Sequence, residues 1–444
     1  MTTTPFNGLR QNQRLKSAGT AFFWLAAFFI IYCARPEDWI PAIGIVPLAK
    51  ITGIGAFLAF LFGTGVGKRK FRELPSEAHF LLGMIVVLMI SALLSPVWKG
   101  GALTRTMDFA KVFVAWALVF FLITDIKKLR SIIFIQAAAV PLICIVSIAK
   151  GRASHPRLDG VLGGIYSNPN DLAFAIVLSL PFCFMFMLTA RGIRKLPWIV
   201  GMLAMGAALV LTESRGGFIT LIVAGAVALW HFGVKGKRLH LIAATGLVGI
   251  ILLGVAGGPL KERFATIWSD DADPQQSAAL GSYEQRKYLM RRALEGIEHY
   301  PIFGIGARNF EVYSLQWREV HMTYLQIAVE GGLLSLILYL MFFARGFRNL
   351  RVLLKRKDLD KETVLIVGAL HSSLIGFVVG AVFSPEAYVY FPYFSVAYTS
   401  ALWAIVKRND ALKAASGSPP PTPSRPAWQL PGRQANPDRV PVGQ

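Results

Sequence analysis

The chain has 444 residues, of which 54% are hydrophobic and 16% are charged, whereas soluble domains carry about 25% charged residues. The formal net charge is +21. The basic residues fall mainly in short loops between apolar stretches, which is typical of membrane proteins and argues against nucleic-acid binding. The three cysteines all lie within apolar stretches. They therefore resemble small buried hydrophobic residues more than a disulfide framework or a metal site.

Apolar stretches that are long enough to cross a bilayer as helices recur along the chain. They predict an all-α, polytopic integral membrane protein with about twelve transmembrane helices. The first stretch lacks the small-x-small pattern of a cleavable signal peptide. The predicted spans are residues 18–34, a stretch ending near 63, 77–94, a stretch ending near 124, 131–149, 172–190, 197–212, 217–234, 239–257, 321–343, 362–383 and 391–406.

The distribution of Lys and Arg predicts the orientation of these spans. Residues 1–17 form a basic N-terminal segment, residues 18–406 the membrane domain, and residues 407–444 a tail rich in Pro, Gly and Ser that reads as disordered. Basic residues concentrate at both ends of the chain and in alternate short loops. Because short, strongly basic loops lie in the cytoplasm, both termini and these loops are expected there. The single long loop, residues 258–320, is therefore expected on the outward face.

A histidine, His321, stands where this long loop meets the tenth predicted span. An imidazole at such a boundary is reachable by water and can take up and release a proton near neutral pH. An interfacial polar residue at a helix start is an equally good interpretation of this position alone.

Arg215 lies between the seventh and eighth spans, at their outward end, with no room for a loop. A cation at this depth is costly unless it faces a polar cavity or a partner. A simple ion pair with Glu213 is the alternative interpretation. Gly216 and Gly217 follow directly, and glycine permits a close approach of the backbone to a ligand. Asn170 or Asp171 is expected to cap the sixth span.

The long loop contains a helix signal of its own. Ser282 and Gln285 form a capping box, and Pro301 is expected to stop the helix. Arg286 lies on this predicted helix. A basic amphipathic helix resting on the membrane surface is the alternative interpretation.

Arg215, Arg286 and His321 are all expected on the outward face. Two guanidinium groups can grip a diphosphate through forked, charge-assisted hydrogen bonds, and an imidazole can take the proton of an attacking hydroxyl. The sequence contains no metal-ligand motif and no phosphate-binding Gly-Lys-Ser/Thr loop. We therefore expect no metal and no cofactor, and a substrate that arrives already activated.

The order of the motifs resembles the O-antigen ligase and polymerase superfamily over about residues 160–345. The motifs that carry the resemblance are Ser167-Asn168-Pro169-Asn170-Asp171, Ser214-Arg215-Gly216-Gly217, Arg286 followed by Pro301-x-x-Gly304-x-Gly306, and His321-x-x-Tyr324-Leu325-Gln326-x-x-x-Glu330-x-Gly332. Met322 stands where many relatives have Asn.

This resemblance implies an inverting, metal-independent glycosyltransferase of the bacterial inner membrane, with both termini cytoplasmic and the long loop periplasmic. It would move a glycan from a polyprenyl diphosphate to a hydroxyl of lipid A core, a growing polysaccharide or a protein. By position, Arg215 and Arg286 would bind the donor diphosphate, and His321 would be the general base. The supporting candidates are Tyr324, Glu330, Arg308 and Asn170.

Two other classes of function stay open from the sequence. The chain could be a transporter or flippase for a lipid-linked or anionic solute, with Lys50, Lys111 and Arg215 along its pathway. It could also be a non-catalytic partner in a polysaccharide export complex. Membrane lipids are expected contacts in every case.

Overall fold

The structure is a computed structural model that describes residues 5–63, 69–150, 157–158, 166, 168–265 and 274–416. Within these residues the chain is helical and has no β-strand, so the predicted all-α class is confirmed. The long helices, in chain order, are α1 (Pro5–Ala34), α2 (Leu48–Phe62), α3 (Ser76–Leu94), α4 (Lys99–Leu122), α5 (Ile126–Lys150), α6 (Pro169–Thr189), α7 (Leu196–Thr212), α8 (Arg215–Leu229), α9 (His240–Ala265), α10 (Pro274–His299), α11 (Thr323–Lys355), α12 (Lys361–Gly380) and α13 (Tyr390–Ser416).

Each predicted span coincides with one of these helices, but the count of twelve spans is not confirmed. Eight helices in the described part of the chain are long and apolar enough to cross a membrane. Helix α2 has only 15 residues, fewer than the roughly 20 that a span requires. Helix α4 carries several charged residues in its first half, which lowers its mean hydropathy.

Some helix ends differ from the sequence-based predictions. Helix α1 begins at Pro5 and α13 continues to Ser416, so parts of both predicted polar ends are helical. Helix α10 begins at Pro274, which places Ser282 inside the helix and overturns the predicted capping box as a start signal. Its end at His299 agrees with the predicted stop. Residues 1–4 and 417–444 lie outside the described part.

Helix α6 begins with a cap that differs from the prediction. The side chain of Asn168 accepts a hydrogen bond from the backbone N–H of Asn170 at 2.9 Å, and Pro169 is the first helical residue. A proline at this position loses no helical hydrogen bond. The predicted caps, Asn170 and Asp171, instead lie inside the first turn, where their side chains are available for contacts with other helices.

Helix α11 lies among the other helices and organises their packing. It packs against α3 on one side and against α10 and α12 on others, while α12 also packs against α6 and α8. Aromatic rings fill the contact: the rings of Phe343 and Phe377 lie 4.7 Å apart between centroids, and those of Tyr339 and Phe343 lie 4.9 Å apart. The residues at the start of α11 are therefore carried by a well-packed element.

Helix α11 is broken at Gly332, whose φ is 73° and ψ is 174°. The turn at residues 301–306 fits into the break. The N–H of Ile305 donates to the carbonyl of Val329 at 2.9 Å, and the N–H of Gly306 donates to the carbonyl of Glu330 at 2.8 Å. The N–H of Leu333 donates to the carbonyl of Pro301 at 2.8 Å. We call this arrangement of residues 301–306 with residues 329–333 the interlock.

The interlock explains two of the glycine motifs. A Cβ atom at Gly332 would overlap the carbonyl of Ile302, and a Cβ at Gly304 would lie 2.5 Å from the carbonyl oxygen of Val329. Gly304 also has a φ of 68°, in the left-handed region that side chains other than glycine rarely adopt. Both positions therefore require glycine because two backbones touch there.

We expect Gly332→Ala to destabilise the protein by about 3 kcal/mol or more, because the added methyl group meets backbone atoms and the positive φ becomes strained. Thermal unfolding in detergent, together with the yield of monodisperse protein, measures the effect. Gly225→Ala in α8 is the matched control, since a Cβ there meets nothing within 4 Å. Equal melting temperatures for the two variants would contradict the structural role of Gly332.

Candidate functional site

The start of α11, which follows His321, is fixed by hydrogen bonds to the loop after α12. The backbone N–H of Thr323 donates to the carbonyl of Ala381 at 2.8 Å, and its hydroxyl donates to the carbonyl of Ser384 at 2.7 Å. The same hydroxyl accepts from the N–H of Glu386 at 2.9 Å. Because Thr323 is buried and held at three points, the backbone position of His321 is well defined.

The structure brings Arg286 close enough to His321 for their charges to interact, although they are far apart in the chain. Burial, followed by the positive charges of Arg286 and Arg318, lowers the pKa of His321 to about 4. The imidazole is therefore neutral near pH 7, with a free nitrogen lone pair, and it lies among cations. This arrangement can accept a proton and hold an anion at the same place.

Arg215 is the first residue of α8, and its neighbours tie that helix end to two other elements. The hydroxyl of Ser214 caps α8 by accepting from the N–H of Gly217 at 3.2 Å. It also donates to the side-chain oxygen of Asn170 at 2.9 Å, at the start of α6. Gly216 packs against Phe383, in the loop that also holds Thr323. Arg215 and His321 thus lie at the same end of the helix bundle.

Arg308 is surrounded by acidic residues from several elements. Its guanidinium lies 3.7 Å from the carboxylate of Glu319 and 5.9 Å from the ring centre of Tyr388. Asp171 and Glu330 also interact with its charge. A cation with so many acidic neighbours is held in place by the folded protein, so Arg308 forms a fixed boundary of the site.

Glu319 lies two residues before His321 and carries a perturbed carboxyl group. Burial raises its pKa to about 7; the charge of Arg308 opposes this rise, and the carboxyls of Glu311 and Asp171 add to it. Since a carboxyl group with such a pKa is partly protonated near neutral pH, it can exchange protons in the working range of an enzyme.

Three of the supporting candidates make contacts that join helices. The hydroxyl of Tyr324 donates to the carbonyl of Val378 in α12 at 2.8 Å. Glu330 is completely buried, accepts from the hydroxyl of Tyr388 at 2.6 Å, and belongs to the interlock. The side chain of Asn170 accepts from Ser214. These contacts position the site and do not by themselves assign chemistry to the three residues.

The sequence analysis did not single out Glu319, Glu386 or Tyr388. Glu386 and Tyr388 come from the short segment between α12 and α13, and their only sequence signal is an acidic residue and a tyrosine close together. Burial raises the pKa of Glu386, and the charge of Asp171 adds to the rise. Within the described residues, no group of three or more His, Cys, Asp or Glu side chains is placed to hold a metal ion.

Comparison with known proteins finds two similarities. Residues 200–340 match the family model described as O-antigen ligase. The exopolysaccharide production protein ExoQ of Rhizobium meliloti (strain 1021) is 25% identical in an alignment over 258 residues that covers 52% of this chain and 57% of that protein. The chain therefore spans little more than half the length of this relative.

These matches confirm the resemblance to the O-antigen ligase and polymerase superfamily. The matched family region contains Arg215, Arg286, Arg308, His321 and Glu330. Together with the eight described helices that are long and apolar enough to cross a membrane, the matches indicate a membrane protein that contains a region similar to O-antigen ligases.

We expect Arg286→Gln to raise the pKa of His321 from about 4 towards the ordinary value of 6.5, because one of the two nearby cations is removed. Between these two pH values the unfolded chain binds a proton that the folded wild type does not. The free energy of unfolding should therefore fall as the pH drops from about 6.5 to about 4. This fall should be less steep in Arg286→Gln than in the wild type.

Histidine NMR titration of protein labelled with ¹³C at histidine measures this shift, with His321→Gln used to assign the signal. Lys287→Gln is the control, since Lys287 is an exposed cation next to Arg286 in the chain. An unchanged His321 titration in Arg286→Gln would show that Arg286 does not act on the imidazole.

Proposed function

We propose that this protein is an inverting glycosyltransferase that moves a glycan from a polyprenyl diphosphate to a hydroxyl acceptor at the outward face of the bacterial inner membrane. Its termini would be cytoplasmic and its long loop periplasmic. The observation that carries the proposal is the juxtaposition of Arg286 and His321 inside the region that matches the O-antigen ligase family. The acceptor would be lipid A core, a growing polysaccharide or a protein.

In the proposed reaction the donor diphosphate binds to Arg215 and Arg286. Guanidinium groups form paired, charge-assisted hydrogen bonds with phosphate oxygens. The bond between the anomeric carbon and the diphosphate oxygen breaks as the acceptor attacks, and the electron pair leaves with the diphosphate. The arginines stabilise the charge that develops on this leaving group, so no separate general acid is required.

The acceptor hydroxyl loses its proton to the neutral imidazole of His321 as its oxygen forms the new glycosidic bond. Attack from the face opposite to the leaving group inverts the anomeric centre. Burial and then the positive charges of Arg286 and Arg318 lower the pKa of the resulting imidazolium, which favours release of the proton after transfer. In the proposed mechanism the two arginines and His321 perform the transfer without a metal ion.

The structure gives the transporter hypothesis little support. Lys50 is exposed on the short helix α2, and Lys111 forms an exposed ion pair with Asp108 at 2.5 Å. Neither lysine is placed along an interior path. The ion pair of Arg308 and Glu319 instead lies at the end of the bundle where His321 precedes α11.

We expect His321→Ala and Arg215→Ala to reduce glycan transfer by at least about a hundredfold, because one removes the base and the other removes a diphosphate contact. The assay uses proteoliposomes with a lipid-linked glycan donor and the three classes of acceptor, at matched protein levels. Arg194→Ala is the control, since Arg194 is exposed in the turn before α7, at the other end of that helix from Arg215.

Wild-type transfer rates in His321→Ala would exclude the general-base role. Movement of the donor across the bilayer by the wild type, without transfer to any acceptor, would instead establish a transporter. Separate measurements of transfer and of donor movement in the same vesicles distinguish these results.

A further inference from the structure

A cavity of about 180 Å³ lies beside the candidate site and shares Arg308 with it. It is formed where the first half of α4, the segment after the interlock and the segment between α12 and α13 meet. Its lining combines aromatic rings with charged groups. These residues are Phe109, Tyr388, Tyr390, Arg105, Arg308 and Asp108. We call this cavity the aromatic pocket.

Contacts with neighbouring residues hold the rings of the aromatic pocket in place. The hydroxyl of Tyr388 donates to the buried carboxylate of Glu330 at 2.6 Å, and the ring of Phe109 meets that of Tyr388 edge-on with centroids 5.2 Å apart. The hydroxyl of Tyr390 donates to the carbonyl of Asp108 at 3.2 Å. The pocket is therefore shaped before any ligand enters, which reduces the entropy lost on binding.

The size and lining of the aromatic pocket suit one sugar ring. A volume of about 180 Å³ is below the roughly 300–1,000 Å³ of pockets that hold drug-sized ligands. Aromatic faces accept the apolar C–H surface of a pyranose, while charged side chains bind its hydroxyl groups. A purely lipidic ligand would leave the guanidinium of Arg105 without a polar partner.

The charges of the aromatic pocket favour an anionic ligand. Asp108 is paired with Lys111, and Arg308 is paired with Glu319. Arg105 has neither an ion pair nor a hydrogen bond to another side chain in the part of the chain that the structure describes. The guanidinium of Arg105 is thus available for the bidentate contact that a carboxylate offers.

We propose that the aromatic pocket binds a single acidic sugar unit of the glycan substrate, with its carboxylate on Arg105 and its ring against Tyr388 and Tyr390. This inference rests on the proposed glycan transfer, because it assigns a substrate class to the same site. Arg308 belongs to both the pocket and the charged cluster beside His321, so a sugar in the pocket lies next to the proposed reaction centre.

The test measures direct binding of methyl β-glucuronide and methyl β-glucoside to the purified full chain in nanodiscs by saturation-transfer NMR. We expect the wild type to bind the glucuronide at least about tenfold more tightly than the glucoside, which corresponds to one charge-assisted contact. Arg105→Gln should abolish this preference and Arg105→Lys should retain part of it. Lys99→Gln, an exposed site earlier on α4, should bind like the wild type.

Equal binding of the two sugars by the wild type would overturn the proposal, as would an unchanged preference in Arg105→Gln. Tighter binding of inorganic diphosphate than of glucuronide, lost in Arg105→Gln, would also overturn it, because the pocket would then belong to the donor diphosphate. If the wild type transfers glycan but binds the glucuronide no better than the glucoside, only the acidic-sugar site is excluded. If the wild type transfers no glycan but prefers the glucuronide, and Arg105→Gln abolishes that preference, only the proposed glycan transfer is excluded.

Discussion

The interlock between residues 301–306 and the break in α11 is the contact on which the candidate site depends. A break in a membrane helix leaves backbone carbonyls without partners, and each such group costs several kcal/mol in lipid. The turn supplies the missing donors to Val329 and Glu330. The long loop that precedes α11 is therefore joined to the helix bundle by backbone hydrogen bonds and not by side chains alone.

The interlock determines where the charged groups of the candidate site lie. Arg308 follows the turn by two residues and meets the side chain of Tyr388, which is hydrogen-bonded to Glu330 at the break. The other end of the first segment of α11 is fixed by Thr323, which bonds to the loop after α12. A short helical segment held at both ends is rigid, and His321 at its start shares that rigidity. Precise placement of a base relative to its substrate is what such a site requires.

The sequence predicted the helical class from the length of the apolar stretches. It also placed Arg286 and His321 on the same face, and in the structure their charges are close enough to interact. It did not predict why Gly304 and Gly332 are needed. Both allow a close contact between two backbone segments that are separate in the chain. Hydropathy also missed the polar helical ends of α1 and α13, since a helix that continues beyond the membrane needs no apolar residues. The perturbed carboxyl group of Glu319 depends on burial by other elements, which no local pattern reports.

The charge distribution around His321 bears on how the proposed reaction would be controlled. A base with a pKa of about 4 removes a proton from a hydroxyl poorly. Burial is the first cause of this low pKa, and the charges of Arg286 and Arg318 are the next two. A bound diphosphate would offset these two charges. The anion would therefore raise the pKa of His321 towards neutrality and make the imidazole a better base. In this mechanism a bound donor makes His321 a stronger base, because Arg286, which binds the donor, is also one cause of the low pKa of His321.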